Sequence, residues 1–286
     1  MSIRFGPAGA SDSFYEEGHK SSLEMPEWLK NRGLNAFEYQ CGRGVQIKDG
    51  TAGRLGLLAV EQGIQLSLHA PYYINLSTTD PAMQVKTRGH LIKSLCIARA
   101  MGAKTVVFHP GSGSGGDRKE ILSRAKVFFK EILAEVEEQA LSNIVLAPET
   151  MGKNNQLGSL EEVLELCELG EQVRPCVDFG HLHAVSRGGL TEQAAFAVLL
   201  DRIEERLGIA YLQDLHIHFS PVEFTAGGEK KHRNGLEPGY GPDFALLAEL
   251  LIERGLTPTI ICESAGRQAE DACTYRDIYF ELLGKC

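Results

Sequence analysis

The sequence lacks the short signatures that assign many chains directly. FGPAGASDS follows the first apolar run where a dinucleotide-binding protein would carry G-x-G-x-x-G, and no G-x-x-x-x-G-K-[ST] occurs. Neither of the usual glycine cradles for phosphate is therefore present. The seven cysteines, Cys41, Cys96, Cys167, Cys176, Cys262, Cys273 and Cys286, contain no C-x-x-C pair. Their odd number, and settings such as RPCVDF and IICES, argue for reduced, buried thiols in a cytoplasmic protein rather than a disulfide framework. No apolar run reaches the roughly 18 residues that a membrane span needs. The start, MSIRFGPAG, has no long apolar segment or cleavage site, so secretion is not expected. Basic residues are in deficit, 29 Lys and Arg against 38 Asp and Glu, for a net charge of −9. That balance argues against a general nucleic-acid coat protein but leaves room for a local basic rim.

What is present is a repeated pattern. Eight short apolar or β-branched runs, at 3–7, 36–40, 65–69, 105–109, 144–149, 174–178, 215–219 and 259–263, read as strands. Stretches of helical period lie between most of them, at 82–100, 119–140, 159–169, 191–207 and 242–254. Asp117 and Ser159 suit N-caps, Glu162 completes a capping box with Ser159, and Gly102, Gly208 and Gly255 suit helix stops. No linker, charge run or low-complexity stretch divides the chain. The expectation is an α/β protein, a single parallel (β/α)8 TIM barrel covering residues 1–286 as one domain. The first crossover, 10–33, is long, and the polar, Gly-rich segment 220–240 reads as a functional lid or rim loop on the seventh unit.

In such a barrel every strand ends at one mouth, where active sites sit. The strand ends carry His69, His109, Glu149, Asp178 with His181 and His183 just beyond, His216 with His218, and Glu263. Seven of the nine histidines lie at these ends or in the loop after the seventh strand, His19 and His90 being the others. Imidazole and carboxylate form the ligand set of zinc, manganese or iron, and the absence of thiolates from these ends argues against a closed structural zinc site. Carboxylates such as Glu149, Asp178 and Glu263 at the ends of apolar strands need cations or donors to meet them. The donors outnumber one tetrahedral set, so two or three ions are expected. Such a cluster suits phosphodiester hydrolysis; one or two ions could instead polarise a sugar for isomerisation, with Glu38 as a substrate contact.

At these residues the chain resembles the endonuclease IV family of apurinic/apyrimidinic endonucleases, within the xylose isomerase-like TIM barrels, and most of all the branch named probable endonuclease 4. FEYQCGRG, HAPYYINL, VVFHPG, LAPETMGK, VDFGHLHA, HIHF, GEKKH and ICES carry the resemblance over nearly the whole chain. It implies an eight-stranded barrel, zinc as cofactor, and DNA containing abasic sites as the macromolecular partner of a monomer. His69 and His109 resemble ligands of a first ion, and Glu149 a bridge to a second. Asp178, His216 and Glu263 resemble ligands of the second, and His181 and His232 of a third. A metal-bridged hydroxide, held or deprotonated by Glu149 and Glu263, would cleave the phosphodiester 5′ to the abasic sugar. Tyr72, Arg43 and Lys153 would contact the substrate, with Lys230, Lys231, Arg233 and Arg267 adding to a basic rim. The chain departs from the family pattern at three places. Lys230 stands where the third site usually has Asp, leaving Glu229 or His183 as substitutes or a two-ion site. His218 replaces an Asn, and is either an added ligand or a hydrogen-bond partner of the ligands. CGRGVQI is poor in polar side chains for a DNA-penetrating loop.

Overall fold

The computed structural model describes residues 2–285. Eight parallel strands form its centre: β1 (Arg4–Pro7), β2 (Ala36–Gln40), β3 (Gln65–His69), β4 (Thr105–Phe108), β5 (Val145–Pro148), β6 (Cys176–Asp178), β7 (His216–Phe219) and β8 (Thr259–Cys262). They pair in the orders β2-β3-β4-β5 and β1-β8-β7-β6. Parallel bridges Ala8↔Glu38 and Glu149↔Cys176 join the two sets and close a TIM barrel. The expected strands are all present, several trimmed by a residue or two.

Alternation along each strand sorts side chains into two environments. Phe37, Leu66, Leu68, Val106, Phe108, Leu146, Val177, Ile217, Phe219 and Ile260 belong to the principal core, between the strands and the surrounding helices. The intervening residues face the barrel interior. Some of these make two small apolar clusters, Ala8/Ala36/Ile261 and Val107/Ala147/Cys176. Others are buried and polar: Glu38, Ser67, His69, Asp178, His216 and His218. Strong burial of polar groups inside the barrel is thus the feature that packing alone does not explain.

The helices follow their apolar stripes. Helix Arg118–Glu138 buries Ile121, Leu122, Ala125, Phe128, Phe129, Ile132, Leu133 and Val136, a three-and-four spacing that keeps one face on the strands. Asp117 caps it by accepting from the N–H groups of Lys119 and Glu120. Helix Leu160–Cys167 begins with the expected capping box of Ser159 and Glu162. Glu162 also pairs with Arg118, which ties two successive crossovers together. Among the described residues no helix is long and apolar enough to cross a membrane.

The first crossover holds two short helices, Asp12–Glu16 and Met25–Asn31. The segment after β7 is more ordered than a polar, Gly-rich loop suggests. Val222–Thr225 and Gly228–His232 pair as an antiparallel hairpin around Ala226 and Gly227. It docks on the loop after β5 through Glu229 N–H to Gly152 O at 2.7 Å. Gly228, at φ +106°, lies so near Gly152 that a Cβ would stand 2.2 Å from its carbonyl oxygen. The VEFT/EKKH alternation around Ala-Gly-Gly was the available signal for this hairpin.

Gly6 marks where β1 and β2 come closest, since a Cβ there would lie 1.8 Å from the Ala36 carbonyl oxygen. Gly6→Ala is expected to cost more than about 3 kcal/mol, because neither backbone can yield without opening the barrel. Ser159→Ala, which removes only a cap, should cost about 1 kcal/mol. Urea unfolding of both variants checks the order; equal midpoints would contradict it.

Candidate metal centre

The mouth is assembled from strand ends and two loop elements. His69 closes β3, Asp178 closes β6, and His109, Glu149 and Glu263 lie one residue past β4, β5 and β8. His218 comes from within β7, His181 from the short helix Phe179–Val185, and His232 from the end of the hairpin. Their ligand atoms form three adjoining groups, each with its members within 4.8 Å of one another. The first is His69, His109 and Glu149; the second is Glu149, Asp178, His218 and Glu263; the third is Asp178, His181 and His232. Glu149 and Asp178 each belong to two groups.

Local contacts aim these donors. His69 Nδ1 lies 2.8 Å from Ala70 O, and His181 Nδ1 2.9 Å from Thr150 O. A carbonyl only accepts, so both Nδ1 atoms donate and Nε2 is left for a ligand bond. Asp178 caps its helix by accepting His181 N–H on Oδ1 at 2.7 Å, which leaves Oδ2 free. His232 Nδ1 lies 2.7 Å from Ser220 Oγ.

The buried atoms test whether cations fit. Glu149 Oε1, Asp178 Oδ2 and both ring nitrogens of His218 are buried without a hydrogen bond. Glu149 Oε1 nevertheless lies 3.2 Å from His181 Nδ1 and 3.5 Å from His218 Nδ1. His218 Nδ1 is also 3.5 Å from Glu263 Oε2. These atoms crowd together yet are misaligned for hydrogen bonds with each other, which is what lone pairs converging on shared ions would produce. An orphaned buried donor or acceptor costs about 1–3 kcal/mol, and more when charged. An all-nitrogen-and-oxygen set of imidazoles and carboxylates is chemically suited to zinc, manganese or iron.

Without cations, protons supply the balancing charge. Burial opposes ionisation of Glu149, but His109 and His218 hold its pKa well below the usual carboxylate range. Burial likewise opposes charge on His181, yet Asp178 and Glu149 raise it to about 10. His69 is also raised against its burial, by Glu149. Burial pushes Asp178 up to about 6, with His181 and His232 acting against it. Glu263 is held at about 2 by His218 against its own burial.

Of the substrate-contact candidates, Tyr72, Arg43 and Lys153 all line the mouth cavity of about 570 Å³, together with His109, His181, His232 and Glu263. Tyr72 is 56% exposed, and its ring centroid stands 5.2 Å from that of His109. Gln40, Met151, Gln156 and Gln268 also line the cavity; Gln40 and Met151 fall within FEYQCGRG and LAPETMGK, whereas nothing in the setting of Gln156 and Gln268 marked them. The basic rim is smaller than expected. Lys230 and Arg233 pair with Glu223, and Arg267 lies 3.7 Å from Asp271.

Three residues sit differently from their expected places. His216 is not in the group of Glu149, Asp178 and Glu263; His218 is, because two residues of β7 separate successive inward side chains and His218 is the nearer to the mouth. His216 instead lies deeper, 2.9 Å from Glu38 Oε2. Glu38, a candidate substrate contact, is fully buried and does not line the mouth cavity; its carboxylate accepts from Ser67 Oγ at 2.9 Å and lies 2.9 Å from His216 Nε2. His183, a candidate substitute at the third group, turns away: its Nδ1 accepts from Leu190 N–H at 3.3 Å and its ring abuts Phe224. Glu229, the other candidate, lines the mouth and lies 3.7 Å from Lys153 Nζ.

A family model described as a xylose isomerase-like TIM barrel matches residues 26–278. The chain belongs to this family. An uncharacterized protein of Methanocaldococcus jannaschii is 33% identical over 261 residues, 91% of each chain. A protein of Bacillus subtilis named probable endonuclease 4 is 31% identical over 183 residues, 61% of this chain and 57% of that one. The structure of endonuclease IV from Thermus thermophilus superposes with a TM-score of 0.72 at 19% identity, over 99% of this chain and 100% of that one. A D-tagatose 3-epimerase-like protein superposes with a TM-score of 0.73 at 18% identity, over 99% of both. Within the family, the resemblance to endonuclease IV holds by sequence as well as by fold. The two superpositions share only the barrel, so they do not separate nuclease from epimerase.

Because His181, raised to about 10, carries a proton in the metal-free protein at pH 7, and ligand imidazoles must be neutral, metal uptake should release protons. The release is expected to shrink as pH rises through about 10, above which His181 is neutral before metal binds, and affinity should fall as pH drops below about 6, where Asp178 also protonates. Calorimetric zinc titration in two buffers of different ionisation enthalpy measures this; a buffer-independent heat would contradict it.

Proposed function

We propose that this protein is a metal-dependent phosphodiesterase that nicks DNA on the 5′ side of abasic sites. The observation that carries the reading is the sharing of Glu149 and Asp178 between three adjoining donor groups, which gives room for two or three cations side by side. Phosphoryl transfer uses such a cluster, since charge develops on both attacking and leaving oxygens, whereas binding the adjacent oxygens of a sugar takes only one or two ions. Bound cations would supply Lewis-acid polarisation and an acidified water.

The chain's own residues do the rest. His69, His109, Glu149, Asp178, His218, Glu263, His181 and His232 hold the ions. Glu149 and Asp178 are fully buried, while Glu263 reaches the mouth cavity. Glu263 therefore takes the proton of the attacking water, and Glu149 fixes the cluster from below. Arg43 and Lys153 meet backbone phosphates, which position the duplex without reading its sequence. Tyr72, exposed beside His109, stacks on the sugar or base next to the lesion. Its hydroxyl stays protonated at neutral pH, pushed up to about 12 by burial and by the Glu263 and Glu149 charges.

A second reading has its own support. The mouth cavity is of small-molecule size, about 570 Å³, and among its lining residues only Arg43 and Lys153 are Lys or Arg. On this reading one or two ions would bind the adjacent oxygens of a ketose for epimerisation or isomerisation.

Purified protein loaded with zinc or manganese is expected to nick a duplex containing one abasic site and to spare the intact duplex. Glu263→Gln should lower the nicking rate by about 10²–10⁴-fold, the range for a lost proton acceptor, while the ion count falls little. An intact abasic duplex in the presence of fully metal-loaded protein, together with turnover of a ketose, would replace the first reading by the second.

A further inference from the structure

Below the mouth lies a second tier of donors, of which the phosphodiesterase reading uses only His218. Cys176 and His216 are register partners on β6 and β7, and His218 stands one inward position above His216. Ligand atoms of these three residues lie within 4.8 Å of one another, and all three are buried. Glu38 reaches in from β2, with Oε2 2.9 Å from His216 Nε2 and Oε1 3.1 Å from His218 Nε2. His218 is wholly buried, yet neither ring nitrogen has a hydrogen bond. Its Nδ1 faces Glu149 and Glu263 in the mouth, and its Nε2 faces Glu38 in the tier below. A neutral or charged imidazole buried this way is left with two unsatisfied nitrogens, unless something that takes a lone pair or a proton lies on each side.

We propose that Cys176, His216 and His218, with Glu38 beside them, form a further cation site inside the barrel, distinct from the mouth cluster and sharing only His218 with it. Its chemistry differs from the mouth's. Each mouth group offers only nitrogen and oxygen, whereas this one includes sulfur, which favours a thiophilic divalent ion such as zinc or cobalt over manganese or magnesium. One thiolate and the Glu38 carboxylate balance a divalent charge, so the occupied tier is neutral among the small apolar residues Val107 and Ala147 that surround Cys176. The site is reached poorly from outside. His216 borders a cavity of about 1050 Å³ at the opposite end of the barrel, whose lining includes Arg4, Lys104 and Arg174. Asp214 pairs with Arg4 there, and the lining offers a free ion no cluster of carboxylates, so on this proposal the ion enters as the chain folds and exchanges slowly. The role is to hold β2, β6 and β7 together beneath the mouth and to fix the His218 ring. The inference does not depend on whether the mouth cleaves DNA or turns over a sugar.

The test uses full-length protein produced in cobalt-containing minimal medium, so that loading accompanies folding. The expected result is a near-ultraviolet thiolate-to-cobalt charge-transfer band that persists through chelation mild enough to strip the mouth. Cys176→Ala should abolish the band and lower the bound cobalt by one ion per chain. Cys167→Ala, at a buried thiol of the outer core, should change neither. His216→Gln serves as a second probe if Cys176→Ala folds poorly, and should likewise lose one ion. Absence of the band in fully cobalt-loaded parent protein, or its survival with an unchanged ion count in Cys176→Ala, overturns the proposal.

Discussion

The constraint on which the site depends is the burial of negative charge. Glu149, Asp178 and Glu38 are fully buried at or below the open end of the barrel, with the partly exposed Glu263 beside them. Removing an ion from water costs several kcal/mol even after the protein relaxes, on the order of the whole stability of a domain when several are taken together. The chain surrounds these carboxylates with imidazoles rather than with lysine or arginine. Imidazole can answer a carboxylate as a proton-bearing cation or, once deprotonated, give its lone pair to a metal. The same side chains therefore serve the protein with and without ions, and the raised pKa values of His69 and His181 express the first state.

The barrel makes this arrangement possible by separating two jobs. Outward residues of the strands meet the helices and supply the apolar core. Inward residues are released from that duty, and small ones such as Ala8, Ala36 and Ala147 leave space for polar side chains between them. A two-residue step along β7 moves an imidazole from the mouth to the tier below, which is why His216 and His218 have different neighbours although they share a face. The hairpin after β7 finishes the mouth from outside by carrying His232 back over the loop that follows β5.

Such a barrel hosts more than one chemistry, as the relatives and structural neighbours show, with endonuclease and epimerase names on similar chains or similar folds. What separates the possibilities is the number of adjoining groups and the surface around them. Three donor groups are linked through Glu149 and Asp178, and this linkage is what the proposed phosphodiesterase reading rests on. The surface around them carries few basic groups, with Arg43 and Lys153 the only Lys or Arg lining the mouth cavity and Tyr72 exposed beside His109.

Much of this was legible in the linear chain. Strand ends recur with His, Asp or Glu before Pro or Gly, so the barrel, the common mouth and most of its donors could be read from local pattern. Strand periodicity also put His216 and His218 on one face. Depth could not be read that way: which of two same-face imidazoles meets Glu149 depends on strand tilt and on pairing with β6 and β8, contacts distant in sequence. The same holds for Glu38, whose position at a strand end looked accessible until closure of the barrel buried it against His216 and His218, and for Cys176, an ordinary apolar-run cysteine until His216 was paired beside it. Local sequence thus determined which chemical groups the protein owns and which end of the barrel they favour. Tertiary structure alone decided which of them meet, because short-range pattern sets direction while only barrel closure sets distance.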